Sequence, residues 1–193
     1  NNNLNDGCEC KDDVNEGVTA SCSNSMNVGS FTDTGAGTST TFSGNDPDGG
    51  GDWYRFMATD VQETNTDNFH VRVRFTKNSG NNFVFDLYWG GCGASLQICG
   101  GATDAEWFTD FNDPSKTTPW PAVPGPTTMG GGEKNCRFDS NHELTPTNYG
   151  DDTDAMSHRC TDNSKQFFVR VYKAPGKAPT CEEYQVEVSN GVY

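Results

Sequence analysis

The sequence predicts an all-β fold: an antiparallel β-sandwich that carries a loop-rich insertion. Several segments alternate apolar and polar residues with a period of two, which matches a strand and not a helix. Gly (22) and Pro (9) separate these segments at short intervals, as turns between strands require. The 193 residues are enough for one sandwich with a proper core and few for two domains.

The first part of the chain is polar and contains three cysteines. Residues 1–27 predict an N-terminal arm pinned by disulfides, and residues 28–193 predict one sandwich domain. Within that domain, 28–42 predict two short strands or one interrupted strand. A strand over 53–58 follows an acidic, glycine-rich loop at 44–52.

The clearest strand covers residues 69–75, where His70, Arg72 and Arg74 share one face and apolar residues share the other. A turn at 78–82 leads into a returning strand, so the pair predicts an antiparallel hairpin. The segments 167–171 and 184–188 repeat the pattern around a second turn. The residues expected to face inward are Phe69, Val71, Val73, Phe85, Leu87, Val169, Val171, Tyr184, Val186 and Val188.

Residues 100–166 differ from the rest of the domain, because they are rich in Gly, Pro, Thr and Asp and show little alternation. A structureless stretch of this length is rare inside a compact domain. We therefore predict a disulfide-held insertion with short strands of its own.

Eight cysteines with irregular spacing predict four disulfides and an oxidising, extracellular or cell-surface location, reached with a signal peptide that has been removed. Cys92–Cys99 is the expected first pair, because its loop is short and leaves the end of a strand. Cys136–Cys160 is the expected second pair. The full set is Cys8, Cys10, Cys22, Cys92, Cys99, Cys136, Cys160 and Cys181.

The net charge of −14 speaks against nucleic acid as a partner, since such a surface repels phosphate backbones. It favours divalent cations or a cationic partner, although it could simply keep a secreted protein soluble. No apolar run approaches the roughly 18 residues that a membrane span requires.

Calcium is the metal that the acidic loop favours, because Ca²⁺ takes six to eight oxygen ligands from flexible acidic loops. Asp46, Asp48 and Asp52 are the candidate ligands there, and a second acidic cluster occupies 151–154. The alternative is an ordinary solvated turn, since Asp, Asn and Gly are also turn residues.

Three segments resemble the bacterial pre-peptidase C-terminal domain. They are GDWYRF (51–56) after its acidic loop, FHVRVRF with NFVFDLYW (69–89), and FFVRVYKAPG with CEEYQVEVSNG (167–191). The resemblance implies a jelly-roll-like sandwich and a secreted bacterial protein. It also implies that an acidic N-terminal segment, here Glu9, Asp12 and Asp13, joins the loop around calcium.

Catalysis is not expected. The three histidines, His70, His142 and His158, belong to no nucleophile elbow and no His-Glu-x-x-His motif. Trp89, Trp107 and Trp120 are candidates for stacking on a sugar ring or a protein partner, and the alternative is that they cover the core.

Two non-catalytic functions follow from these expectations. The first is a structural or assembly subunit of an extracellular fibre, filament or coat, which self-associates through its arm. The second is an adhesive module that binds glycan or matrix protein and depends on calcium.

Overall fold

The computed structural model describes residues 21–46, 50–61, 71–103, 106–108, 164–178 and 180–192, which form two packed β-sheets. The strands are β1 (Met26–Thr32), β2 (Thr38–Gly44), β3 (Asp52–Thr59), β4 (Val71–Lys77), β5 (Phe83–Trp89), β6 (Gln97–Thr103), β7 (Glu106–Phe108), β8 (Lys165–Lys173) and β9 (Tyr184–Asn190). Short 3-10 turns occupy Cys22–Asn24, Ser79–Asn81 and Ala94–Leu96. The predicted all-β sandwich is confirmed.

The strand order is that of a jelly roll. One sheet has five strands in the order β1-β3-β8-β5-β6, and the other has four in the order β2-β9-β4-β7. Without β1, each sheet contains four strands, and in both sheets strands from β2–β5 alternate with strands from β6–β9. Among the described strands, only β1 and β3 pair in parallel, which the expected antiparallel sandwich did not include.

The core lies between the sheets and follows the alternation of the sequence. Tyr54, Phe56 and Ala58 on β3 are fully buried, while the residues between them are more exposed. Nine of the ten residues expected to face inward are buried or lie against the core; Phe69 is outside the described residues. The alternation therefore identified the core correctly.

The predicted hairpin is wrong. β4 pairs with β9 and β7, whereas β5 pairs with β8 and β6, so the turn at 78–82 carries the chain from one sheet to the other. The turn between β8 and β9 makes the same crossing. At the first crossing, the Asn78 side chain donates to the carbonyl of Phe83 (2.9 Å) and accepts its N–H (3.0 Å). A hairpin and a crossing between sheets place the same residues inward, so alternation cannot separate them.

The outer face of the four-stranded sheet is polar and partly exposed, as expected. Arg72 and Arg74 both donate to Oε1 of Glu187, at 3.3 and 2.9 Å. Arg170 lies on β8, in the other sheet.

The predicted boundaries shift where strands begin and end. β1 begins at Met26, inside the predicted arm 1–27, and residues 1–20 are outside the described part of the chain. β6 and β7 extend the sheets to Phe108, inside the predicted insertion 100–166. In the described residues, no helix is long and apolar enough to cross a membrane.

Candidate functional site

The outer face of the five-stranded sheet is unusual, because β5 is buried on both sides. Phe83, Phe85 and Leu87 face the core, so the residues between them face outward. Those residues, Val84, Asp86 and Tyr88, retain only 3%, 6% and 8% exposure. Outward residues of a solvated sheet are normally far more exposed. We call six of the outward side chains of β3, β8 and β5 the aromatic face: Trp53, Asp86, Tyr88, Phe168, Arg170 and Tyr172.

Two aromatic rings meet above the middle strand of this face. Trp53 lies on β3 and Tyr88 on β5, with β8 between them, yet their ring centroids are 5.3 Å apart. Neighbouring strands are about 4.8 Å apart, so both rings lean over β8. Phe168, which pairs with Tyr88 across β8 and β5, is 9% exposed. The indole of Trp53 therefore reaches over β8 and remains partly exposed.

Arginine, carboxylate and tyrosine groups form a polar layer beside these rings. The guanidinium carbon of Arg170 lies 5.8 Å from the Trp53 ring centroid and 5.0 Å from that of Tyr172. The Tyr172 hydroxyl donates to Asp86 (3.1 Å). Burial, followed by the nearby Asp86 carboxylate, raises the pKa of Tyr172 to about 12. The Tyr172 hydroxyl therefore stays protonated as a hydrogen-bond donor at neutral pH.

The acidic loop lies at one end of the aromatic face. Arg170 donates from Nη2 to the carbonyl of Gly50 (3.2 Å). Asp46 is 3% exposed and accepts the N–H groups of Gly51 and Lys173, both at 3.1 Å. A Cβ on Gly51 would lie 3.0 Å from Nε of Arg170, so glycine permits this close approach. The described ends of the loop are thus tied to β8.

A disulfide lies at the other end of this face. Arg55 points outward from β3 and donates to the carbonyl and, at 3.2 Å, to the hydroxyl of Ser25. The turn Cys22–Asn24 therefore lies on the outer side of the sheet, and Cys22 is bonded there to Cys92, just after β5. We call the segment 22–25 with this bond the disulfide strap.

The predicted bond between Cys92 and Cys99 is therefore wrong. Cys99 lies on β6, where its backbone pairs with Leu87, and Cys92 instead turns outward to Cys22. Cys181 is also disulfide-bonded. Cys8, Cys10, Cys136 and Cys160 lie outside the described residues, so the pair Cys136–Cys160 stays a prediction.

The predicted calcium ligands divide into two groups. Asp46 binds backbone N–H groups at the loop, whereas Asp52, 7% exposed, accepts the hydroxyl of Tyr184 (2.6 Å) in the core. Asp48 and the N-terminal candidates Glu9, Asp12 and Asp13 are outside the described residues. Within the described part of the chain, no group of three or more His, Cys, Asp or Glu could hold a metal ion. Calcium therefore stays a prediction.

Asp52 belongs to a buried hydrogen-bond chain that joins the two sheets. The hydroxyls of Tyr184 on β9 and Tyr54 on β3 lie 2.6 Å apart. Burial, and after it the proximity of Tyr54 and Asp52, raises the pKa of Tyr184 well above its usual value. A Cβ on Gly44 would lie 2.7 Å from the Tyr54 hydroxyl, so the chain needs glycine at that position.

The three predicted binding tryptophans have different positions. Trp107 on β7 is fully buried in the core, which corrects the prediction of a ligand contact there. Trp89 is partly buried against Phe167, with Nζ of Lys165 5.5 Å from its ring centroid. Trp120 lies outside the described residues. The sequence patterns did not indicate Trp53 or Tyr172.

The signal that could have found the aromatic face is the run FVFDLYW at 83–89, which does not alternate. A strand that is apolar on both sides is covered on both sides. The chain matches no protein-family model, no curated protein and no solved structure. The resemblance to the pre-peptidase C-terminal domain stays a prediction.

Proposed function

We propose that this chain is a non-catalytic, extracellular binding module whose aromatic face holds the ligand. The observation that carries the proposal is the difference between the two outer faces. The four-stranded sheet presents ion-paired Arg and Glu, whereas the five-stranded sheet presents a partly exposed Trp53 over a layer of Tyr, Arg and Asp. Aromatic residues and Arg are the side chains that dominate binding hot spots.

The surroundings of the face support recognition. The disulfide strap and the acidic loop tie down its two ends, through Cys92 and Gly50. A surface whose side chains are held before binding loses less conformational entropy when the ligand arrives. A stable extracellular disulfide also suits a protein that works in an oxidising compartment.

Calcium dependence belongs to the same proposal. The acidic loop adjoins Arg170, so an ion bound between its carboxylates and the N-terminal segment would fix the end of the aromatic face. The thermal midpoint should rise with added calcium, because a ligand of the folded state alone stabilises that state. An unchanged midpoint with calcium and with a chelator would remove calcium from the proposal.

Surface binding by paired variants tests the proposal. Trp53→Ala removes the exposed ring, and Met57→Ala is the matched control. Met57 lies on the same strand and the same outward side, with 36% exposure. Purified proteins are passed over immobilised extracellular polysaccharides and matrix proteins. We expect Trp53→Ala to lose the wild-type binding and Met57→Ala to keep it. Equal binding by both variants, or none by the wild type, would contradict the proposal.

Assembly into a fibre or coat is the second candidate. β1 is the edge of the five-stranded sheet, and no described strand pairs with its outer side. Such an edge offers backbone groups to a strand of a neighbouring copy. Light scattering on the wild type and on a variant lacking residues 1–6 tests it. A concentrated monomer in the presence of salt and calcium would exclude this function.

A further inference from the structure

We infer that the ligand of the aromatic face is a neutral glycan, with one pyranose ring stacked on the exposed part of the Trp53 indole. The inference rests on the proposed function and names the ligand class that the same face would take. Three features of the face support it: the orientation of the indole, the balance of charge beside it, and the hydrogen-bonding groups at its rim.

The orientation of the indole comes from the strand order. Trp53 starts on β3 and reaches the Tyr88 ring on β5, so β8 and its side chains lie beneath it. Arg170 pairs with Trp53 across β3 and β8, and its guanidinium carbon lies 5.8 Å from the indole centroid. The exposed part of the indole is a flat apolar surface. The C–H groups on one side of a pyranose ring match such a surface in shape and polarity.

The charge beside the ring is balanced. Arg170 and Asp86 occupy paired positions on β8 and β5, and both influence the pKa of Tyr172, in opposite directions. Arg55 at the disulfide strap and Asp46 at the acidic loop add one charge of each sign at the two ends of the face. A local balance of charge on a molecule with a net charge of −14 does not attract polyanions. An uncharged ligand is therefore the one that this face favours over an acidic glycan.

The rim of the face supplies donors and acceptors for sugar hydroxyls. Arg170 is partly exposed and donates from Nη2 to the carbonyl of the exposed Gly50, so its guanidinium lies where a sugar hydroxyl can accept from it. The Tyr88 hydroxyl lies 3.5 Å from Asp86, at the limit of a hydrogen bond, so it can turn to a ligand. A flat ring with several hydroxyls uses such mixed groups, whereas a protein partner would need a larger apolar area.

Titration calorimetry with soluble oligosaccharides tests the inference on the full chain. The neutral probes are cellohexaose, laminarihexaose, xylohexaose and mannohexaose, and the acidic probe is an oligogalacturonate. We expect at least one neutral probe to bind. Its affinity should change little when salt rises from about 0.05 to about 0.5 M, because no net charge is paired. Trp53→Ala should weaken that binding by about tenfold or more, as loss of a central interface Trp does.

Two controls separate ligand stacking from a folding defect. Met57→Ala should bind like the wild type, and both variants should show the wild-type far-ultraviolet spectrum and a sharp melting transition. If Trp53→Ala fails to fold, Trp53→Phe replaces it, with an expected smaller loss.

The outcomes distinguish this inference from the proposed function. Binding of only the oligogalacturonate, with strong dependence on salt, would overturn the neutral ligand and leave a binding module in place. Binding of a matrix protein through Trp53, with no sugar bound, would do the same. Binding of a neutral probe that Trp53→Ala does not affect would overturn the site. Binding of no probe and no matrix protein would overturn both proposals.

Discussion

Removal of the bond between Cys22 and Cys92 should lower the stability of this protein by several kcal/mol. The two cysteines are 70 residues apart in the sequence, so the bond closes a long loop in the unfolded chain. Loop-closure entropy for this length is about −15 cal/mol/K, which corresponds to about 4 kcal/mol at room temperature. For a chain of this size, each kcal/mol moves the thermal midpoint by about 2–4 °C, so the expected drop is about 8–16 °C.

The assay compares thermal unfolding of the wild type and of the double variant Cys22→Ser/Cys92→Ser without reductant. The double variant leaves no unpaired thiol from this bond. Ser23→Ala is the matched control, because Ser23 is an exposed residue of the same turn. A midpoint within about 3 °C of the wild type would refute the loop argument, since that shift is at most about 1–2 kcal/mol. A peptide map that joins Cys92 to Cys99 would refute the pairing itself.

Three further predictions concern the buried polar groups. Gly44→Ala should destabilise by about 1–3 kcal/mol, measured by urea unfolding, because the new methyl would overlap two tyrosine hydroxyls in the core. Gly35→Ala is not a fair control, since Gly35 has a positive φ. Stability should be constant near neutral pH and fall above about pH 10. Folding raises the pKa values of Tyr172 and Tyr184, so the folded state holds these two protons more tightly than the unfolded state does. This contribution to stability is lost as the pH rises from the unfolded pKa through the folded pKa. A free energy of unfolding that stays constant up to pH 12, the value to which the Tyr172 pKa is raised, would contradict this prediction. Asp86→Ala should cost about 2–4 kcal/mol, because it leaves a buried tyrosine hydroxyl without its acceptor, whereas Arg74→Ala on the other sheet should cost about 1 kcal/mol or less. Equal losses in chemical denaturation would mean that the two outer faces are alike.

The sequence was sufficient to predict the class of fold and the inward residues, because both depend on local alternation. Val71 and Val73 on β4, and Val186 and Val188 on β9, alternate with polar residues and are fully buried. The period of two is a property of each strand alone and needs no knowledge of its neighbours. The pairing of strands cannot be predicted in this way, because the same alternation is compatible with a hairpin and with a crossing between sheets.

The aromatic face could not be predicted in the same way. Trp53, Tyr88 and Tyr172 come from three strands that are far apart in the sequence and adjacent only in the jelly-roll order. To predict that these three side chains lie together, one needs the strand order β3-β8-β5, and the expected hairpin does not provide it. The disulfide prediction was wrong for a similar reason. It followed the shortest loop, from Cys92 to Cys99, whereas the bond between Cys22 and Cys92 depends on the position of the turn before β1.

The two outer faces of this sandwich differ in how far folding alone explains their side chains. The four-stranded sheet needs only polar side chains on its outer side, and Arg72, Arg74 and Glu187 supply them. The five-stranded sheet carries a large ring, a nearly buried carboxylate and an arginine where polar side chains would suffice. Burial of a carboxylate lowers stability unless it is hydrogen-bonded, and the Tyr172 hydroxyl donates to Asp86. Folding alone does not require the partly exposed indole of Trp53, and recognition is the simpler explanation for it. This difference supports our proposal that the aromatic face, and not the ion-paired one, binds the ligand.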